Sequence, residues 1–160
     1  MDSPPGDAAV RAELVRLLRC HTAAAVRFGR AFAERHGLHP TDWGALLAVA
    51  RSDRAGSPLT LGELSDCLGL SSGATTALVD RLERTGHVQR RRHEHDRRRT
   101  TLHRDGNADA LLATFNGPLD ALMDTILSNY TASELATVQR FLADAVRQLD
   151  DHRRRFTAGG

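Results

Sequence analysis

The stretch LTLGELSDCLGLSSGATTALVDRLERTGHV, from Leu59 to Val88, carries two helix starts, two helix stops and the turn between them. Thr60 followed by Glu63 has the spacing of a capping box, in which hydroxyl and carboxylate each take a backbone N–H left over at a helix start. The short helix opened there holds Leu61, Leu64 and Leu68, and Gly69 then accepts the left-handed backbone of a tight turn. Ser71 caps a second helix running to about Thr85, with Gly86 as its stop. Two short helices joined by a few residues containing glycine make a helix-turn-helix. The spacing of Ala74, Leu78 and Leu82 predicts the buried face of the second helix, with Ser72, Thr75, Thr76 and Asp80 lying away from it.

Downstream the rhythm changes. Val88 to Arg92, a polar tip at His93-Glu94-His95-Asp96, and Arg97 to Leu102 predict a β-hairpin that contains six arginines. Burial cannot hold such a hairpin, so its tip needs an anionic partner. The charge map agrees. Between Arg81 and Arg104 lie nine arginines and three acids, whereas the other 13 arginines are outweighed by 17 acids. A net charge of only +2 therefore hides one concentrated basic segment, the footprint expected of a phosphate-binding surface.

The two ends of the chain predict long helices. Leu14, His21 and Phe28 recur every seven residues with Leu18, Ala25 and Phe32 beside them, giving one helix over 8–36 that Gly37 ends. Thr41 is placed to cap a helix carrying Trp43, Leu46, Leu47 and Val49. Leu112, Phe115, Leu119, Leu122 and Ile126 form a helical seam whose period continues, with a kink, across Gly117-Pro118. Thr131 and Glu134 make a second capping box, opening a helix with Leu135, Val138, Leu142, Ala145 and Leu149 on one side. The fold class expected is mainly α, α+β only by virtue of a small wing. A winged helix-turn-helix over 37–106 is flanked by helices at 8–36 and 107–152 that form a dimerisation region. Residues 1–7 and 153–160 are expected to be disordered tails.

Composition excludes several classes. The longest uninterrupted apolar runs, such as Ala45 to Ala50, are far too short to span a membrane, and the Pro-rich start has no signal-peptide pattern, so cytoplasmic residence is expected. Cys20 and Cys67 do not suggest a disulfide framework. No G-x-x-x-x-G-K, H-E-x-x-H or G-x-S-x-G occurs, which argues against an enzyme, and no cofactor is called for. His93 and His95, without a neighbouring cysteine, suit water or phosphate better than a metal.

These residues resemble the MarR family of bacterial winged helix-turn-helix regulators. The likeness is strongest from Leu78 to Val88, where the sequence is similar to the end of that family's recognition helix. Asp96-Arg97-Arg98 resembles its D-x-R motif at the wing tip, and Leu102-His103-Arg104-Asp105-Gly106 is a degenerate form of the segment opening its next helix. The resemblance implies a homodimeric transcriptional regulator, a repressor, bound to a palindromic operator in double-stranded DNA and relieved by a small aromatic or anionic effector. It implies DNA contacts from Ser71, Ser72, Gly73, Thr75 and Thr76 on the recognition helix. Arg98, oriented by Asp96, is the expected minor-groove probe, while Arg90, Arg91, Arg92, Arg97 and Arg99 are expected on phosphates. Arg81 is expected either on a phosphate or paired with an acid. Two departures stand out: a return strand about two residues short before Leu102, and Ala74 and Ala77 where relatives often carry polar or basic side chains. The family's effector cleft implies a lining of Phe28, Phe32, Trp43 and Leu47, with Arg27 or His36 as polar anchors. Two alternatives are a thiol sensor acting through Cys20, which is expected to be a shielded thiol, and a winged helix used for protein–protein assembly.

Overall fold

Six helices and one hairpin make up residues 5–92 and 99–158, the part of the chain that the computed structural model describes. In order they are α1 (Pro5–Arg35), α2 (Pro40–Arg54), α3 (Leu61–Leu68), α4 (Ser72–Arg84), β1 (Val88–Arg92), β2 (Thr100–Arg104), α5 (Gly106–Leu127) and α6 (Ala132–Ala158). Residues 5–7 and 153–158 are thus helical, not disordered: each simply continues the helix beside it. No helix among the described residues is long and apolar enough to cross a membrane.

The predicted caps at Thr60, Ser71 and Thr131 are all formed. Thr60 Oγ1 accepts from the Glu63 N–H at 3.3 Å, while the Glu63 carboxylate accepts from the Thr60 N–H at 2.7 Å. Ser71 Oγ accepts from the Ala74 N–H at 3.3 Å. Thr131 and Glu134 repeat the reciprocal pattern at the start of α6. At α2 the prediction was two residues late. Pro40, with its fixed φ and no N–H to satisfy, is a natural first helical residue, so His39 becomes the cap and its Nδ1 accepts from the Thr41 N–H at 3.2 Å.

The chain divides into two compact units, Met1–Ala113 and Thr114–Gly160. The first has the core. Leu46 and Val49 of α2, Leu64 of α3, Val79 and Leu82 of α4, Val88 of β1 and Leu102 of β2 are all essentially inaccessible to solvent. Phe32 and Ala33 near the end of α1 pack there too, with the Phe32 and Trp43 rings 4.9 Å apart. The second unit runs from the later part of α5 through α6. Helix α5 passes through Gly117-Pro118 without ending.

The hairpin is antiparallel and fully in register from Val88↔Arg104 to Arg92↔Thr100. Of the segment from Asp96 to Leu102 that the sequence reading finds short, only residues 99–102 are among those described. The return strand begins at Thr100 and runs past Leu102 to Arg104. Its other edge takes a third piece: the Leu102 N–H donates to the Leu59 carbonyl at 2.7 Å, and Thr60 bridges Thr101.

Candidate nucleic-acid interface

Recognition requires a helix held rigidly by one face with the other left open. In α4 the buried residues are Thr75, Leu78, Val79 and Leu82, a spacing of three, four and seven that makes a continuous stripe. Ser72, Gly73, Thr76, Ala77, Asp80 and Arg84 are exposed on the opposite side. The helix is rotated relative to the sequence reading by about one residue: Ala74 is exposed, and Thr75, at 1 % exposure, is core. Thr75 is tolerated there because its hydroxyl donates to the Ser71 carbonyl at 3.0 Å, leaving the methyl group to pack. Thr76 makes the same bond to the Ser72 carbonyl at 2.9 Å but presents its free lone pairs and methyl outward. Ser71 has spent its hydroxyl on the cap.

The arginines separate into two sets. Arg81 lays its guanidinium against both carboxylate oxygens of Asp42, with Nε 2.6 Å from Oδ2 and Nη2 on Oδ1. Asp42 is only 3 % exposed, so of the two expectations for Arg81 the structural pair is the one formed. Arg90 is likewise taken. Its guanidinium meets Glu83 and lies 2.7 Å from Asp80, and its backbone N–H donates to Glu83 at 3.1 Å. That corrects its expected place on a phosphate: two carboxylates of α4 neutralise it and fasten β1 to the recognition helix. Arg99 reaches Glu63 at 2.9 Å, a second correction. The N–H and hydroxyl of Thr60, and then Arg99, hold the Glu63 carboxyl below its ordinary value. Arg91 and Arg92 remain exposed at the end of β1. Asp96, Arg97 and Arg98, with His93 and His95, lie outside the described residues.

Of the expected effector lining, Phe32 and Trp43 lie in the core with their rings tilted against each other, and the Phe32 ring also meets His36 at 4.2 Å. Leu47 is half-buried, while Arg27 and Phe28 lie exposed along α1 and His36 just after its end. A cleft of about 460 Å³, open to solvent, lies where the start of α2 faces α4, lined by His39, Thr41, Leu70, Ala74, Leu78 and Arg81. Its signal in the sequence was slight, because it depends on which side of α4 turns inward. Among the described residues no group of three His, Cys, Asp or Glu side chains is placed to hold a metal. Cys20 is exposed on α1, not shielded, with Arg16 Nη1 3.6 Å from its sulfur; Cys67 is exposed too.

Comparison with known proteins bears on the same segment. A family model for the MarR family matches residues 36–99. The HTH-type transcriptional regulator YcgE of Bacillus subtilis (strain 168) is 34% identical over 137 residues, 86% of this chain and 86% of its own length. A MarR family protein from Bacillus stearothermophilus superposes with a TM-score of 0.66 at 26% identity, over 89% of this chain and 96% of that one. A mutant of MepR from S. aureus, bound to an oligodeoxyribonucleotide, shares the fold with a TM-score of 0.53 at 17% identity, over 85% and 97% of the two chains.

Proposed function

The chain belongs to the MarR family of DNA-binding transcriptional regulators, and from that premise we propose that it acts as a cytoplasmic homodimeric repressor, gripping a palindromic operator until a small ligand releases it. Its relatives are regulators of transcription and not enzymes. The observation that carries the reading is the open face of α4. Ser72, Gly73 and Thr76 stand exposed beside a hairpin whose Arg91 and Arg92 are exposed as well. In this reading Ser72 and Thr76 meet base edges, and Ser71 and Gly73 approach the backbone at the start of the helix. Arg91, Arg92 and Arg97 meet phosphates, and Arg98 with Asp96 enters the minor groove. That MepR is seen on an oligodeoxyribonucleotide supports the same use of the fold.

Homodimerisation is supported by the apolar side chains left outside. Val10, Leu14, Val15 and Leu17 of α1 are exposed in the single chain, as are Leu142, Val146 and Leu149 of α6. A second copy is the covering that gives a two-fold reader for a palindrome. For the ligand, the cleft beside α4 offers the apolar walls Leu70, Ala74 and Leu78 and the outer side of the Arg81 guanidinium, chemistry suited to a small anionic aromatic.

The test is fluorescence anisotropy with duplexes from the intergenic region next to the protein's own gene, against scrambled duplex, over a salt series. Tighter binding to one intergenic fragment, weakening steeply with salt, is expected. Equal affinity for every duplex, or none, overturns the reading.

A further inference from the structure

The root of the wing holds a hydrogen-bond chain that the reading face does not use. On β2, Thr101 and His103 point to the same side of the strand, and Thr101 is 2 % exposed. His103 Nε2 lies 3.0 Å from Thr101 Oγ1, and its Nδ1 lies 2.9 Å from Asp53 Oδ1 in the last turn of α2. Thr101 Oγ1 is also 3.3 Å from the carbonyl oxygen of Arg91 on β1.

The proton count decides what this chain can do. A carboxylate only accepts, so Nδ1 carries a hydrogen toward Asp53. With a neutral imidazole Nε2 is then an acceptor, and it takes the single hydrogen of the Thr101 hydroxyl. The Arg91 carbonyl loses that donor. With a protonated imidazole Nε2 donates to Oγ1 instead, and the hydroxyl hydrogen turns to the Arg91 carbonyl.

We propose that His103 is a positioning residue for the wing: its protonation transfers one hydrogen bond from the imidazole to β1 and stiffens the hairpin that presents Arg91 and Arg92. Charged side chains lie around the imidazole. From α2 comes Asp53, whose second oxygen accepts from the Arg104 N–H at 3.4 Å. β2 adds the Arg104 guanidinium, 3.7 Å from Asp53 and 3.3 Å from Asp109 of α5. β1 places the uncharged Gln89 opposite His103, and on α3 Glu63 is already held by Thr60 and Arg99. Two carboxylates, Asp53 and Asp109, thus face the one guanidinium of Arg104. The rise in DNA affinity on acidification rests on the regulator reading above; the hydrogen-bond transfer does not.

Two measurements on the full chain test the proposal. In NMR between about pH 5 and 8, the Arg91 carbonyl carbon is expected to titrate with the midpoint of the His103 ring, and to stop doing so in Thr101→Val. In anisotropy at fixed ionic strength, wild type is expected to gain roughly fivefold more affinity than His103→Gln between about pH 7.5 and 5.5, His87 contributing equally to both proteins. Asp53→Asn, which removes the carboxylate that His103 Nδ1 meets, serves the same comparison if His103→Gln does not fold. An Arg91 carbonyl that stays still while the ring titrates overturns the proposal, as does an equal gain in wild type and variant. If no duplex is bound at any pH, the regulator reading fails and the carbonyl titration alone decides the switch.

Discussion

Asp42 is a buried carboxylate whose two oxygens are both met by one guanidinium, and this single contact ties the start of α2 to α4. Removing Arg81 leaves that carboxylate without its partner. Arg81→Ala is therefore expected to cost about 1–3 kcal/mol in urea denaturation, tempered because Arg81 itself is half in solvent. Adding Asp42→Asn should recover part of the loss; equal stability of Arg81→Ala and wild type would remove the pair from the account. Arg91 differs in every respect. Arg91→Ala should leave stability unchanged but reduce the salt slope of DNA binding by about one per subunit, whereas Thr76→Ala should change base preference at constant slope. His87 bears on stability. Burial holds its imidazole below the ordinary value of 6.5, so the folded chain stays neutral while the unfolded chain takes up a proton. Its contribution is fully present above about pH 6.5 and is lost as the pH falls toward the folded value. Denaturation midpoints of wild type and His87→Gln should draw together on acidification, and parallel curves would count against this role.

At the scale of elements, the recognition helix is set by what grips its two ends. Its start is capped by Ser71, and its end turns at Gly86, where φ is +69° and an added Cβ would sit 2.8 Å from Asn107 Nδ2. Asn107 in the first turn of α5 is held there by donating to the Thr85 carbonyl at 2.9 Å. Gly86→Ala thus meets both a left-handed backbone and a side chain that must give way. A loss of about 1–3 kcal/mol is expected in chemical denaturation, with DNA affinity falling as α4 shifts; an unaffected variant would show that the α4–α5 joint tolerates movement. The hairpin is fixed similarly, through Glu83 and Asp80 on Arg90. These pairs add to the burial of Val88, Thr101 and Leu102 in holding the arginine-rich stem.

For the whole molecule, the balance of apolar surface matters most. The first unit hides its core well, yet Val10, Leu14 and Leu17 of α1 are in solvent, and along α6 Val146, Leu149 and Phe156 are more than half exposed. Apolar side chains left exposed along each helix are what the proposed homodimer would cover. Sedimentation at micromolar concentration is expected to find a dimer whose thermal midpoint rises with concentration. A stable folded monomer there would remove the two-fold reader, and with it the palindromic operator.

Local chemistry written along the chain was enough for much of this protein. The capping boxes at Thr60 and Thr131, the glycine stops at Gly37, Gly69 and Gly86, and the seams of the long helices depend on neighbours three or four residues away. They were legible for that reason, and so was the order of helices and wing. Contacts between distant residues were not. Nothing near Arg81 announces Asp42 as its partner, since the pair spans 39 positions, and nothing in β2 announces that His103 will meet Asp53 across 50. The rotation that sends Thr75 inward and Ala74 outward is a matter of which neighbours the helix packs against. Charge composition located the basic segment correctly, but only the folded chain decides which arginines are spent on carboxylates and which stay available for phosphate, because pairing is a property of distance in space.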